Sequence, residues 1–375
     1  MWPAARCGPC PRPSTTPSRR SSPARSRDPA HHVVACVPRV PCVAARRARR
    51  AALGHLLRER AVQPALPRML FFEHPPEPEP APRELDTAEA KALIDHVAGL
   101  GVPFLELVGG EPFLRRDLLE LARHARARGL WCGVTTNGTR FPETALDEVR
   151  SVFRTVFVSV DGFEDAHDRV RGAGTYRKTL EGLHRLLAAR GPALVGVSTI
   201  VGPENLATLG AFGEHLRGLG VQQWVLSSGL APAPSVDPAS AAIALASVRR
   251  MRREHPGFIP QDERFFDALL AFHRGEGRYG CDVEQLLHVS VTPGGETSAC
   301  CTWPVPLGRA RDGALGATLA AVPRAAFDPV TACGGCVRHD YAYTMRLFRR
   351  PWPALVAEAL VLAAGPSLAA PRGAT

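Results

Sequence analysis

The stretch Val102-Pro103-Phe104-Leu105-Glu106-Leu107-Val108-Gly109-Gly110-Glu111-Pro112 decides how the chain reads. Residues 102–108 form a short apolar run, which predicts a buried strand. The run breaks on two glycines and a carboxylate. Two later segments follow the same plan. Trp131–Thr136 predicts a strand that ends in Thr135-Thr136-Asn137-Gly138, and 155–160 predicts one that ends in Ser159-Val160-Asp161-Gly162. Helical patterns fill the intervals at 87–99, 115–128, 142–150, 175–190 and 205–219, with further strands at 193–201 and 222–227. Five strands alternating with helices imply right-handed βαβ units and a parallel sheet. The predicted class is therefore α/β, an open sheet or an incomplete barrel.

In such folds ligands sit at the C-terminal ends of the strands. Those ends are where the unusual residues fall. Paired glycines let a backbone approach a ligand closely. Glu111 can accept from an ammonium group. Hydroxyls, an amide and Asp161 can meet a ribose and a carboxylate. Each segment taken alone is also ordinary turn chemistry. Three polar strand ends on one rim favour a ligand site.

Working outward, the composition is that of a globular protein: 375 residues, 45% apolar and 22% charged. No run of 18 apolar residues occurs, so no membrane span is expected. The formal charge of +10 suggests a nucleic-acid binder until it is located. Of 46 basic and 36 acidic residues, 13 and 2 fall in residues 1–60, leaving 33 and 34 in the rest. The remainder is near neutral, so a nucleic-acid partner is not expected. RNA contact by a basic tail is a distant reading, since no aromatic residues are interleaved to stack on bases. Lysine occurs only at Lys91 and Lys178, which with the many Ala, Gly and Pro points to a GC-rich coding sequence. Residues 1–70 show no sustained period and are expected to be disordered or mistranslated. Residues 71–86 read as a Pro/Glu linker, 87–275 as the core, 276–345 as a cysteine-rich extension and 346–375 as a terminal helix and tail.

Gly109-Gly110-Glu111-Pro112-Phe113-Leu114-Arg115, Thr136-Asn137-Gly138, Val158-Ser159-Val160-Asp161-Gly162 and His167-Asp168-Arg169-Val170-Arg171-Gly172 together resemble the radical SAM superfamily in order and spacing. That resemblance implies a partial (β/α)6 TIM-type barrel. It implies that Gly109, Gly110 and Glu111 bind the amino group of S-adenosylmethionine. Thr136, Asn137, Ser159 and Asp161 would lie near its ribose and carboxylate, with Arg171 close by. It also implies a 4Fe-4S cluster on a Cys-x3-Cys-x2-Cys loop. The cluster splits S-adenosylmethionine, and the 5′-deoxyadenosyl radical then attacks a peptide or a cofactor precursor. An electron donor such as ferredoxin or flavodoxin and a cytoplasmic location go with that chemistry.

The cluster loop is missing where the resemblance places it. Gln63-Pro64-Ala65-Leu66-Pro67-Arg68-Met69-Leu70-Phe71-Phe72 contains no cysteine. The codons offer a reason. Met69 is encoded by ATG, and every Leu70 codon begins with C or T. Read one base later, that junction encodes Cys. The Leu66–Pro67 and Val62–Gln63 junctions do the same if Leu66 is CTG and Val62 is GTG, as GC-rich DNA favours. The three junctions have the required spacing. The expectation is that roughly residues 1–70 are translated out of frame.

Downstream, residues 286–292, Pro293-Gly294-Gly295 and residues 296–301 predict a hairpin on a Gly turn. Cys333-Gly334-Gly335-Cys336 can set two thiolates on one metal. With Cys281 and Cys300 flanking the hairpin, the pattern resembles the SPASM/twitch extension, which implies one auxiliary Fe–S cluster on Cys281, Cys300, Cys333 and Cys336. Cys301 competes with Cys300. Zinc on the same thiolates is the alternative, giving a structural zinc protein. A non-catalytic scaffold that keeps only the S-adenosylmethionine fold is another. Cys132, inside a strand, reads as a core residue.

Overall fold

The computed structural model describes residues 35–36, 83–102, 104–229, 236–276, 288–300 and 306–309. The first described helix, α1 (Thr87–Gly99), starts where its sequence says it should. Asp86 accepts from the Glu89 amide at 2.9 Å, and Glu89 accepts from the Asp86 amide at 2.9 Å. This reciprocal cap satisfies two amides that a helix start leaves without partners. Ala90, Leu93, Ile94 and Val97 then form its buried face.

Five parallel strands follow in order: β2 (Phe104–Leu107), β3 (Trp131–Thr136), β4 (Thr155–Ser159), β5 (Leu194–Val201) and β6 (Gln223–Ser228). Between them run a 3₁₀ turn (Pro112–Leu114), α2 (Leu118–Ala127), α3 (Leu146–Val152), α4 (Glu164–Arg171), α5 (Thr175–Ala188) and α6 (Leu209–Gly218). Spatial order equals chain order, without the reversal of a doubly wound sheet. Crossovers of one hand then stack the helices on one face. Burial shows it. Leu105, Leu107, Cys132, Val134, Val156, Val158, Val195 and Val197 are all buried on that face. Trp224 lies edge-on to Phe212 of α6 at 6.1 Å, and its indole N–H donates to Thr199. The opposite, concave face is half-buried at Phe104, Glu106, Thr135, Thr155, Phe157 and Ser159.

For the five parallel strands, prediction and structure agree to within two residues at each end. Three helices were not anticipated: α4, α7 (Pro238–Glu254) and α8 (Glu263–His273). Asp237 caps α7 through the Ser240 amide at 2.8 Å, with Pro238 at the first helical position. A sixth parallel strand is not among the described residues. No described helix is long and apolar enough to cross a membrane.

A second sheet has the order β1 (Ala35–Cys36), β7 (His288–Val291), β8 (Glu296–Ser298), β9 (Pro306–Arg309), with antiparallel pairs. The predicted hairpin is β7–β8, and Gly295 turns it at φ 92°. It is tied to the core by the Leu85 amide donating to the Pro293 carbonyl at 2.7 Å. Arg115 Nη1 donates to the Leu85 carbonyl from the other side at 3.0 Å.

Candidate functional site

The three polar strand ends do meet on one rim. Gly109 leaves β2 at φ 150°, Gly138 leaves β3 at φ 75° and Gly162 leaves β4 at φ 109°. These backbone angles favour glycine.

Glu111 is buried and braces this rim. One carboxylate oxygen accepts from the Thr136 hydroxyl at 2.7 Å and the Phe113 amide at 3.1 Å. The other accepts from the Asn137 amide at 2.8 Å. Removal from water raises its pKa above the usual range; the three donors and the charge of Arg140 pull the other way. Thr136 faces the helix side rather than the concavity. Its hydroxyl also accepts from the Gly138 amide at 3.0 Å. Asn137 folds its side chain onto Thr139, accepting from the amide at 2.8 Å and the hydroxyl at 2.7 Å.

Asp161 is the second brace. One oxygen accepts from the Ile200 amide at 2.8 Å, and the other from Arg171 Nε at 2.6 Å. Its own amide donates to His167 Nδ1 at 3.2 Å, and its carbonyl accepts from Asn205 Nδ2 at 3.2 Å. The loop after β4 is thereby fastened to β5 and α4. His167 is fully buried, and desolvation followed by the charge of Arg171 lowers its pKa to about 4.

Of the residues singled out from sequence, Gly109, Gly110, Asn137 and Ser159 thus stand at the rim or on the concave face. Glu111, Thr136, Asp161 and Arg171 hold the rim together. Ser159 pairs in register with Ser198 of β5, both half-buried. The sequence reading passed over Glu106 and took Thr135 only as part of a strand end. The Thr135 hydroxyl donates to Glu106 at 2.8 Å on the concave face, just inside the rim. A charged residue inside an apolar strand run was the signal that could have found it.

Cys132 is buried, and desolvation and then the charge of Glu106 raise its thiol pKa well above the ordinary value, as suits a core residue. Cys300 follows β8, half-buried. The Ser298 hydroxyl donates to its carbonyl at 2.8 Å and accepts from its amide at 3.3 Å. Cys281, Cys301, Cys333 and Cys336 lie outside the described residues, as does the segment 63–72.

Residues 65–216 match the family model for the Radical SAM superfamily. A 103-residue segment is 42% identical to Fe-coproporphyrin III synthase of Methanosarcina barkeri, covering 27% of this chain and 26% of that one. AdoMet-dependent heme synthase of the same organism is 37% identical over 140 residues, 36% of this chain and 40% of the relative. Mycofactocin maturase MftC of Mycobacterium tuberculosis is 34% identical over 133 residues, 35% and 34% of the two chains. The chain spans less than half the length of these relatives.

Proposed function

From the premise that residues 65–216 form a radical SAM domain, we propose that the protein binds S-adenosylmethionine along the rim of β2, β3 and β4 and serves the modification of a peptide or a cofactor precursor. The observation that carries this reading is the convergence of three glycine-bearing strand ends on one edge of the concave face. The donor set fits the ligand. Gly109 and Gly110 offer backbone without a side chain in the way. Glu111 retains acceptor capacity for the ammonium group, since a carboxylate can take about four hydrogen bonds. Asn137 and Ser159 offer polar groups for the ribose. Arg171, held by Asp161, brings positive charge toward the ligand's carboxylate. With a radical-generating cluster in place, bound S-adenosylmethionine would supply a 5′-deoxyadenosyl group to an electron-driven reaction, with ferredoxin or flavodoxin as the donor. The named relatives that act on porphyrins and on mycofactocin suggest the two substrate classes.

The residues at 63–72 do not fit the radical-generating cluster. They offer no thiolate, and thiolates are what hold such iron. We propose that roughly residues 1–70 are read out of frame. The nucleotide sequence across Val62–Phe71 tests this, and lack of the three Cys codons in the shifted frame would end it. If the frame is as written, the chain is a scaffold that binds S-adenosylmethionine without cleaving it. An auxiliary Fe–S cluster on Cys281, Cys300, Cys333 and Cys336 fits by donor chemistry.

Titration calorimetry with S-adenosylmethionine tests the binding reading. Saturable binding is expected in the chain as written, and Gly110→Val should weaken it at least about tenfold. Gly110 is exposed and has no positive φ, so the variant should melt like the parent. Equal affinity in the two proteins would place the ligand elsewhere.

A further inference from the structure

We propose that Arg115 is a positioning residue: it latches the hairpin β7–β8 to the rim and so sets where Cys300 stands. Its bearing on a metal rests on the auxiliary-cluster reading given above; the latch itself does not.

Arg115 follows the 3₁₀ turn that begins at the rim. Glu111 accepts from the Phe113 amide with its carboxylate at 3.1 Å and from the Leu114 amide with its carbonyl at 3.2 Å. The Arg115 amide donates to the Pro112 carbonyl at 3.0 Å. The turn is closed by its own hydrogen bonds, so it holds Arg115 at a fixed step from Glu111. The Arg115 side chain is buried. Its Nη2 donates to Asp117 at 2.8 Å, and the same Asp117 oxygen accepts from the Thr87 hydroxyl at the start of α1 at 2.6 Å. Its Nη1 donates to the Leu85 carbonyl at 3.0 Å. The Leu85 amide in turn donates to the Pro293 carbonyl, in the turn of the hairpin, at 2.7 Å. Leu85 is thus held by the core through its carbonyl and holds the hairpin through its amide.

Beyond Pro293 the path to Cys300 is short and braced. The Thr292 amide donates to the Glu296 carbonyl at 2.7 Å, and the Gly295 amide to the Thr292 carbonyl at 2.9 Å. Ser290 and Val291 pair in register with Ser298 and Thr297. The Ser298 hydroxyl then bonds both the carbonyl and the amide of Cys300. Val289, Val291 and Ala299 are buried in the same apolar cluster as Leu85. Apolar contact is non-directional, so it presses the hairpin on the core without fixing its place. A buried guanidinium costs solvation, and an apolar side chain of similar volume often serves stability better. What arginine adds is a rigid fork of donors. At Arg115 that fork meets one carboxylate and one backbone carbonyl, and the residue that owns the carbonyl grips the hairpin turn.

The test reads Cys300 in the full chain before and after loading with iron and sulfide. Before loading, the parent, Arg115→Met and Arg115→Lys are treated with iodoacetamide, and alkylation at each cysteine is followed by peptide mass spectrometry. Arg115→Met keeps the bulk and removes the donors. It should speed alkylation of Cys300 at least about tenfold, because the hydrogen bonds of a charged donor are lost and the hairpin opens locally. Arg115→Lys keeps an ammonium donor and should restore part of the protection. Cys132, buried in β3, should stay slow in every variant, as an intact core requires. If Cys132 reacts in Arg115→Met, the comparison passes to Asp117→Asn, which loosens the guanidinium without emptying its place and should also speed Cys300. After loading, the electron paramagnetic resonance g values of the reduced auxiliary cluster should move in Arg115→Met and return toward the parent's in Arg115→Lys. Parent-like Cys300 rates and g values in Arg115→Met would overturn the proposal. A parent that takes up no iron would end the cluster reading, and the alkylation rates alone would then judge the latch.

Discussion

At the scale of single residues, the rim is held by buried polar groups bonded to one another. His167 shows how firmly. The Asp161 amide donates to Nδ1, so the neutral ring carries its proton on Nε2, which is buried and has no hydrogen-bond partner among the described residues. Protonating Nδ1 would set N–H against N–H in a low-dielectric pocket. The folded pKa of about 4 lies below the ordinary 6.5. As pH falls from 6.5 the unfolded chain takes the proton first, so stability declines and levels off below about 4. Urea unfolding at pH 7 and pH 4.5 should reveal a loss on the order of 2 kcal/mol from this residue. His167→Gln should flatten that part of the profile; an identical slope in the variant would assign the loss to other groups. Glu111, Asp161 and Arg171 were visible in the sequence as site residues because their motifs stand at strand ends. That they act as braces was not visible, because the partners that tie Glu111 and Asp161 to the next strand and loop are 25 to 44 positions away in the chain. Glu106 was readable only as an anomaly in an apolar run.

At the scale of elements, period and punctuation were strong guides. The strands were legible because each apolar run is short and stops at Gly, Asn or Asp. The start of α1 was legible as Asp86 with Glu89 three positions on. Arg115–Arg128 read as one helix, whereas the chain makes a 3₁₀ turn at Pro112–Leu114 and begins α2 only at Leu118. Glu111 dictates that break, since its carboxylate caps the turn through Phe113. The helices α7 and α8 were missed although Asp237-Pro238 and Asp262 are good start signals. They lie past the last predicted strand, where alternation no longer guides the eye. Close packing between elements leaves a testable mark at Gly182 of α5. A Cβ there would stand 1.9 Å from the Gly138 carbonyl oxygen and 3.2 Å from Phe141. Alanine gains about 1 kcal/mol in helix propensity. The clash is with backbone at the rim and costs about 1–3 kcal/mol, so the clash wins. Gly182→Ala should lower the urea midpoint, and a raised midpoint would mean that α5 can slide outward.

At the scale of the whole molecule, chain order equal to spatial order produces one covered face and one concave face. The α/β class and the five parallel strands followed from sequence because the connections are regular. In the cysteine-rich extension the hairpin β7–β8 was legible because two short runs joined by a Gly turn form a local signal. Metal analysis of the purified protein separates the readings. Iron and acid-labile sulfide for a single cluster, with no 5′-deoxyadenosine formed under dithionite, are expected of the chain as written. Zinc without iron or sulfide would favour a structural zinc site on the same thiolates. Cysteines restored at the three junctions should add a second cluster's worth of iron.

The braces at Glu111 and Asp161 carry one further consequence. Each joins a loop to the next strand through hydrogen bonds within the chain. The edge of the concave face is therefore cast before a ligand arrives, like a socket rather than a closing hand. Little chain entropy remains to be surrendered on association, and affinity can be set by fit and charge alone.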